Sequence, residues 1–223
     1  MNQPAAEGAV PGEYPFTKAS YEIQYGYVER PNHRNTSWDE AKFEVVGHRW
    51  ADLSQTDYGV SLLNDSKYGY GVQGNVMSLS LLKSAKFPDT SADMGEHYFT
   101  YSIMGHEGGV AQGDTIEEAA ALNLPILVSK GESVLEERSI LRVDNRSVTV
   151  DAVKKAKRGD AVVVRLHECR GGCAKGELRS DLDLVRFAPS NPLEEAIGPI
   201  TEGSVIPFEL GPFEVQTYLL WFR

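Results

Sequence analysis

The chain has 223 residues, 41% of them hydrophobic, and a net charge of −10 from 22 basic and 32 acidic side chains. That length fits one large β domain or two small ones with a buried core, and the acidic balance argues against nucleic acid or an anionic membrane as partner. No apolar run approaches membrane-spanning length, the first residues lack the charged and apolar regions of a secretion signal, and two cysteines fit a reducing compartment, so a cytoplasmic location is expected.

Residues 1–15 hold three prolines and two glycines and few bulky apolar side chains; they are expected to be a mobile N-terminal segment. Residues 16–124 read as a first β domain. Its strands are expected at Tyr21–Val28, Lys42–Val46, Trp50–Leu53, Tyr58–Asn64, Val76–Leu82 and Glu96–Met104, where apolar and polar residues alternate. In the last of these, His97, Phe99, Tyr101 and Ile103 share a face. Turns fall at Asn64-Asp65, Gly69–Gly74 and Pro88-Asp89. One helix is expected between Gly108 and Pro125, with Asp114 and Glu117 at capping-box spacing and Asn123 and Pro125 as stops.

Residues 125–223 read as a second, smaller β-sandwich. Its expected strands are Ile126–Ser129, Leu141–Asp144, Val148–Lys154, Ala161–Glu168, Glu177–Ser180, Asp183–Arg186, Val205–Leu210 and Val215–Phe222. The β-branched run Val162-Val163-Val164 is expected at the sheet centre. Both faces of Val215–Phe222 carry apolar residues, so both are expected to be buried. The fold class is therefore all-β, two β-sandwich units joined by a short helix.

Two stretches have the composition of a sugar site. Glu29–Glu40 contains Asn32, His33, Arg34, Asn35, Trp38 and Asp39: carboxylates and amides suit hydroxyl groups, and aromatic rings suit the apolar face of a pyranose. The same residues also suit a loop that bonds its own backbone. The turn Asn64-Asp65-Ser66-Lys67-Tyr68-Gly69 is rich in donors and acceptors and follows a strand; it reads either as a substrate-binding turn or as a plain hairpin turn. The five histidines, His33, His48, His97, His106 and His167, show no convincing metal-ligand spacing, and no metal or cofactor site is expected in this chain. Cys169 and Cys173 flank Arg170-Gly171-Gly172, a spacing that suits a three-residue hairpin loop with the thiols opposite each other; free thiols are expected. The basic run Lys154–Arg158 reads as a solvated turn.

A family resemblance runs through Gln24-Tyr25-Gly26, Glu29–Asp39, Phe43-Glu44, His48-Arg49-Trp50-Ala51-Asp52, Asn64–Tyr70, Leu79–Lys83, Pro88-Asp89 and Asp93–His97, and continues through Val153-Lys154-Lys155, Arg165–Glu168 and Pro212–Thr217. In this order the residues resemble the C-terminal region of class II α-mannosidases, glycoside hydrolase family 38, in its cytosolic/vacuolar and bacterial branch. The resemblance implies a truncated mutarotase-like supersandwich followed by a smaller sandwich. It implies a non-catalytic region that braces a catalytic α/β barrel and helical domain, its partners in the parent chain. Zinc, nucleophile and general acid would belong to that parent, a glycosidase acting on terminal α-mannosides, and no catalytic residue is expected here; the isolated chain is expected to be inactive. By the resemblance, Asn64, Asp65, Ser66, Lys67, Tyr68 and Gly69 form a loop lining the pocket for mannose. Only Asp65 and Gly69 match the Asp-Arg-Ala-Gln-Gly turn of the lysosomal and Golgi branch, so a backbone contact is the expectation. Two alternatives stand beside this: a stand-alone carbohydrate-binding module, and a mutarotase-like sugar enzyme using His and Glu. Self-association of a fragment with a bare apolar face is a further expectation.

Overall fold

The computed structural model describes residues 8–9, 18–132 and 138–223, and divides into two units, Met1–Leu127 and Val128–Arg223. Apart from Gly8–Ala9, the expected mobile segment over residues 1–15 lies outside the described residues.

In the first unit one sheet has five antiparallel strands. In chain order these are β2 (Lys18–Ile23), β3 (Gly26–Pro31), β5 (Trp50–Ser54), β6 (Tyr58–Asn64) and β9 (Tyr101–Glu107), laid side by side as β3-β2-β5-β6-β9. The second sheet has four: β1 (Gly8–Ala9), β4 (Val45–Val46), β7 (Gly69–Gln73) and β8 (Val76–Leu79), in the order β1-β8-β7-β4. The expected single strand Tyr21–Val28 is a tight hairpin instead. Ile23 pairs with Gly26, and Tyr25 turns the chain at φ +56°. The alternation survives the turn, so the pattern alone does not reveal it.

Period-two alternation assigns the faces. Ala19 and Tyr21 from β2, Ala51 and Leu53 from β5 and Leu62 from β6 meet Tyr70, Met77 and Leu79 of the other sheet in one core. Each large apolar side chain buried here is worth roughly 1.5–3 kcal/mol. The residues between them, Asp52 and Ser61, point the other way and are also fully buried, because α2 (Thr115–Asn123) packs over β5 and β6. Ile116 and Ala119 form the buried side of α2. Asp114 stands at its N-cap without a side-chain capping bond, so the expected capping box does not form. The capping box lies earlier, at the short helix α1 (Ser37–Ala41), where Thr36 and Asp39 bond reciprocally. Strand β9 starts later than expected, at Tyr101; His97 and Phe99 precede it.

The second unit is a separate sandwich. Its larger sheet contains β11 (Val148–Lys155), β12 (Val162–Glu168), β14 (Leu184–Ser190), β15 (Thr201–Glu202) and β17 (Val215–Phe222), in the order β11-β12-β17-β14-β15. The smaller contains β10 (Arg142–Val143), β13 (Ala174–Arg179) and β16 (Val205–Leu210), in the order β10-β13-β16. Val164, Leu166, Phe187 and Leu220 face Leu178, Ile206, Phe208 and Leu210 across the core. On the opposite face Val163 and Leu219 pack with Ala156 and Ala161, which is why β17 is buried on both sides. Residues Ile126–Ser129 form no strand.

The loop Cys169–Cys173 is not a hairpin. Strand β12 pairs with β11 and β17, whereas β13 pairs with β10 and β16. The loop therefore carries the chain from one sheet to the other. Cys169 is buried, Cys173 is exposed, and both are free. Glu168 organises the crossing. Its buried carboxylate accepts the backbone N–H groups of Arg170 (2.9 Å), Gly171 (2.8 Å) and Phe213 (3.0 Å).

Candidate functional site

The turn after β6 is built from its first two residues. Asn64 is buried. Its amide nitrogen donates to the His48 carbonyl (3.2 Å) and to the Tyr70 hydroxyl, and its oxygen accepts the backbone N–H groups of Ser66 (2.9 Å) and Lys67. The Asp65 carboxylate accepts the Ser66 hydroxyl (2.7 Å) and the Thr100 N–H (2.9 Å), which hold its pKa below the usual carboxylate range, the serine contributing most. From the helix side, the Asn123 amide donates to the Asn64 carbonyl (3.1 Å) while closing α2 on the Ala119 carbonyl. Asn64 and Asp65 thus serve as the frame, and their polar atoms are engaged within the protein.

The remaining residues face outward. Lys67, Tyr68 and Gly69 line a groove of about 540 Å³ together with Glu44, Ser80, Lys83, Asp93 and His97. The Tyr68 ring is 59% exposed and is steadied edge-on by His48, with ring centres 5.9 Å apart. Lys67 lies 4.7 Å from the Phe99 ring centre. Glu44 accepts the Ser80 hydroxyl and pairs with Lys83 at 2.9 Å; the serine first, then the lysine, keep its carboxylate below the ordinary range. Glu44, Ser80 and Lys83 had no site role in the sequence reading, because they reach the groove from the residue before β4 and from the segment after β8. The only local signal was their place in the family match.

Gly69 makes room for Glu44. A Cβ there would sit 2.8 Å from Glu44 Oε1 and 3.1 Å from Ser80 Cβ. Gly69→Ala is expected to push Glu44 off Ser80 and Lys83 and to cost about 1–2 kcal/mol. Urea unfolding checks this, and Glu44→Ala in the same background should recover part of the loss.

Two matches then decide the family. The C-terminal domain of glycosyl hydrolases family 38 matches over residues 9–91, and the family's C-terminal beta sandwich domain over residues 147–218. The chain belongs to glycosyl hydrolase family 38. Alpha-mannosidase G of Dictyostelium discoideum is 40% identical over 213 residues, which is 90% of this chain and 19% of that protein. Human alpha-mannosidase 2C1 is 38% identical over 218 residues, 94% of this chain and 21% of its own. The crystal structure of an alpha-mannosidase from Enterococcus faecalis V583 shares the fold, with a TM-score of 0.76 at 19% identity over 96% of this chain and 25% of that one. The family-38 chain thus spans about one fifth of the length of these two curated relatives.

Several of the other candidates in the family-38 chain have structural partners. The loop Glu29–Glu40 is held partly by its own side chains. Asn32 is buried and ties the loop to Gly74 through its amide (2.8 Å), Asp39 caps α1, and Trp38 is exposed. His167 bonds Asp151 and His97 bonds the Asp93 carbonyl. Among the described residues no group of three or more His, Cys, Asp or Glu side chains is placed to hold a metal ion.

His106 is the exception in character. Its Nε2 lies 2.6 Å from Asp52 in the layer beneath α2, with its side chain 5% exposed. The groups facing it are the Asp52 carboxylate from β5 and the backbone at Glu107 and Gly108. The hydrogen bond to Asp52 outweighs burial and raises the imidazole pKa above 6.5. A raised folded-state pKa gives stability that is complete below the ordinary value and is lost as pH climbs through the raised one. The unfolding temperature of the first unit is therefore expected to fall as pH increases above about 6.5, and His106→Gln should flatten that slope. Thermal unfolding across the interval checks it.

Proposed function

We propose that this chain is the C-terminal, non-catalytic β region of an α-mannosidase whose parent hydrolyses terminal α-mannosides. In this reading the catalytic α/β barrel and helical domain, with the zinc, lie in polypeptide outside the 223 residues. The chain braces that barrel and contributes the Asn64–Gly69 turn to the mannose pocket. The observation that carries the reading is the preformed turn: Asn64 and Asp65 are engaged in holding it, while Lys67, Tyr68 and the backbone at Gly69 are presented to an open groove. A bracing role is supported by β9, which ends its sheet and leaves Tyr101 and Ile103 exposed, at 44% and 59%. Such a surface also suits self-association of the isolated fragment, which sedimentation would register. Two free thiols fit a cytoplasmic parent.

The test is turnover of an aryl α-mannoside. The 223-residue chain should show none, with or without added zinc. A longer polypeptide that also carries the barrel should be active, and Tyr68→Ala in it should raise KM. Zinc-dependent turnover by the 223 residues alone would overturn the reading.

A further inference from the structure

A second cavity of the first unit, about 490 Å³, lies on the other side of β4, between the end of β3 and the loop that leads through α1. Its lining concentrates positive charge in a chain of net charge −10. Arg30, His33, Arg34 and Lys42 all face it. Two carboxylates share the lining, and both are engaged. Glu29 pairs with Lys18 at 2.9 Å, and Asp39 accepts the Thr36 N–H and hydroxyl and lies 3.6 Å from His33. Among the described residues no ion pair joins Arg30 or Arg34 to a carboxylate, and Lys42 acts on Asp39 only through its charge, without a direct contact.

Arg30 is held ready. Its guanidinium lies over the Tyr21 ring at 4.8 Å and donates to the Val46 carbonyl at 2.8 Å. Partial burial, partly offset by Tyr21, lowers its pKa. A guanidinium in a fixed fork suits the oxygens of a phosphate, and long exposed cations at the rim add attraction at little cost in geometry. Val45, Val46 and Val72 give the cavity an apolar wall, which leaves room for a carbon skeleton beside the anion.

We propose that this cavity is an anion site for a phosphate group, with Arg30 as its anchor and Arg34 and Lys42 at its rim. It is separate from the Asn64–Gly69 groove and does not depend on the reading of that groove.

Isothermal titration of the 223-residue chain at low salt, with inorganic phosphate and with a hexose 6-phosphate, tests it. Saturable binding with Kd below about 1 mM is expected, weakened by added salt. The double variant Arg34→Gln/Lys42→Gln, at exposed positions, should weaken it about tenfold. Arg30→Gln should abolish it, with a thermal melt recorded to show that the variant is folded. Tighter binding of the hexose phosphate assigns a phosphate ester as ligand, and equal binding assigns free phosphate. No saturable response to either compound, or an unchanged response in the double variant, overturns the proposal.

Discussion

Asp52→Ala is expected to cost the first unit about 3–5 kcal/mol, a large share of the stability of a domain this size. The carboxylate is fully buried and accepts three hydrogen bonds: the Ser54 hydroxyl at 2.6 Å, the Ser61 hydroxyl at 2.7 Å and His106 Nε2 at 2.6 Å. Ser61 in turn meets Thr115 of α2 at 2.7 Å. One side chain therefore joins β5, β6, β9 and the helix. Removing it leaves the His106 imidazole without its acceptor and the buried Ser61 hydroxyl with Thr115 alone, and desolvation without a partner is the expensive case. Asp52→Asn keeps the shape and part of the bonding. It should cost about 1–2 kcal/mol and remove the dependence on pH expected from His106. Urea unfolding followed by hydrogen exchange of β6 reads both variants. A loss below about 1 kcal/mol for Asp52→Ala would mean that hydrophobic packing of Ile116 and Ala119, and not this network, holds α2 in place.

The matching expectation for the second unit is Glu168→Ala, again about 3–5 kcal/mol. Here the carboxylate receives only backbone donors. Three N–H groups from two loops converge on it, and one of them belongs to Phe213, held at φ +57°. A non-glycine residue in that conformation persists only where its surroundings insist on it. Without Glu168 the sheet-to-sheet crossing and the loop leading into β17 both lose their partner. Since β17 is the central strand, faster hydrogen exchange is expected along Val215–Phe222 and its neighbours in β12 and β14. Glu168→Gln retains one carbonyl oxygen but turns an amide donor toward other donors. It should lose somewhat less than the alanine variant. Exchange in β17 unchanged by Glu168→Ala would show that the strand is held by the apolar core alone.

These two carboxylates mark where sequence reading stops. Both sit in strands that were legible. Tyr58–Asn64, Val205–Leu210 and Val215–Phe222 were found with their observed bounds, because alternation of side chains along an extended chain is local and turn residues bracket each run. The family resemblance was equally legible, since it rests on the order of short motifs. The Asn64–Gly69 turn could be singled out as a candidate for the same reason.

What the sequence by itself determined is the succession of strands, the all-β class and the family. Tertiary structure alone decided which strands share a sheet. Cys169–Cys173 has the spacing of a hairpin and instead crosses between sheets, because pairing is settled by apolar faces far apart in the chain. It likewise decided that Asn64 and Asp65 frame the turn while Glu44, just before β4, completes the groove. A buried polar group finds its partner in space, and distance along the polypeptide carries no information about it.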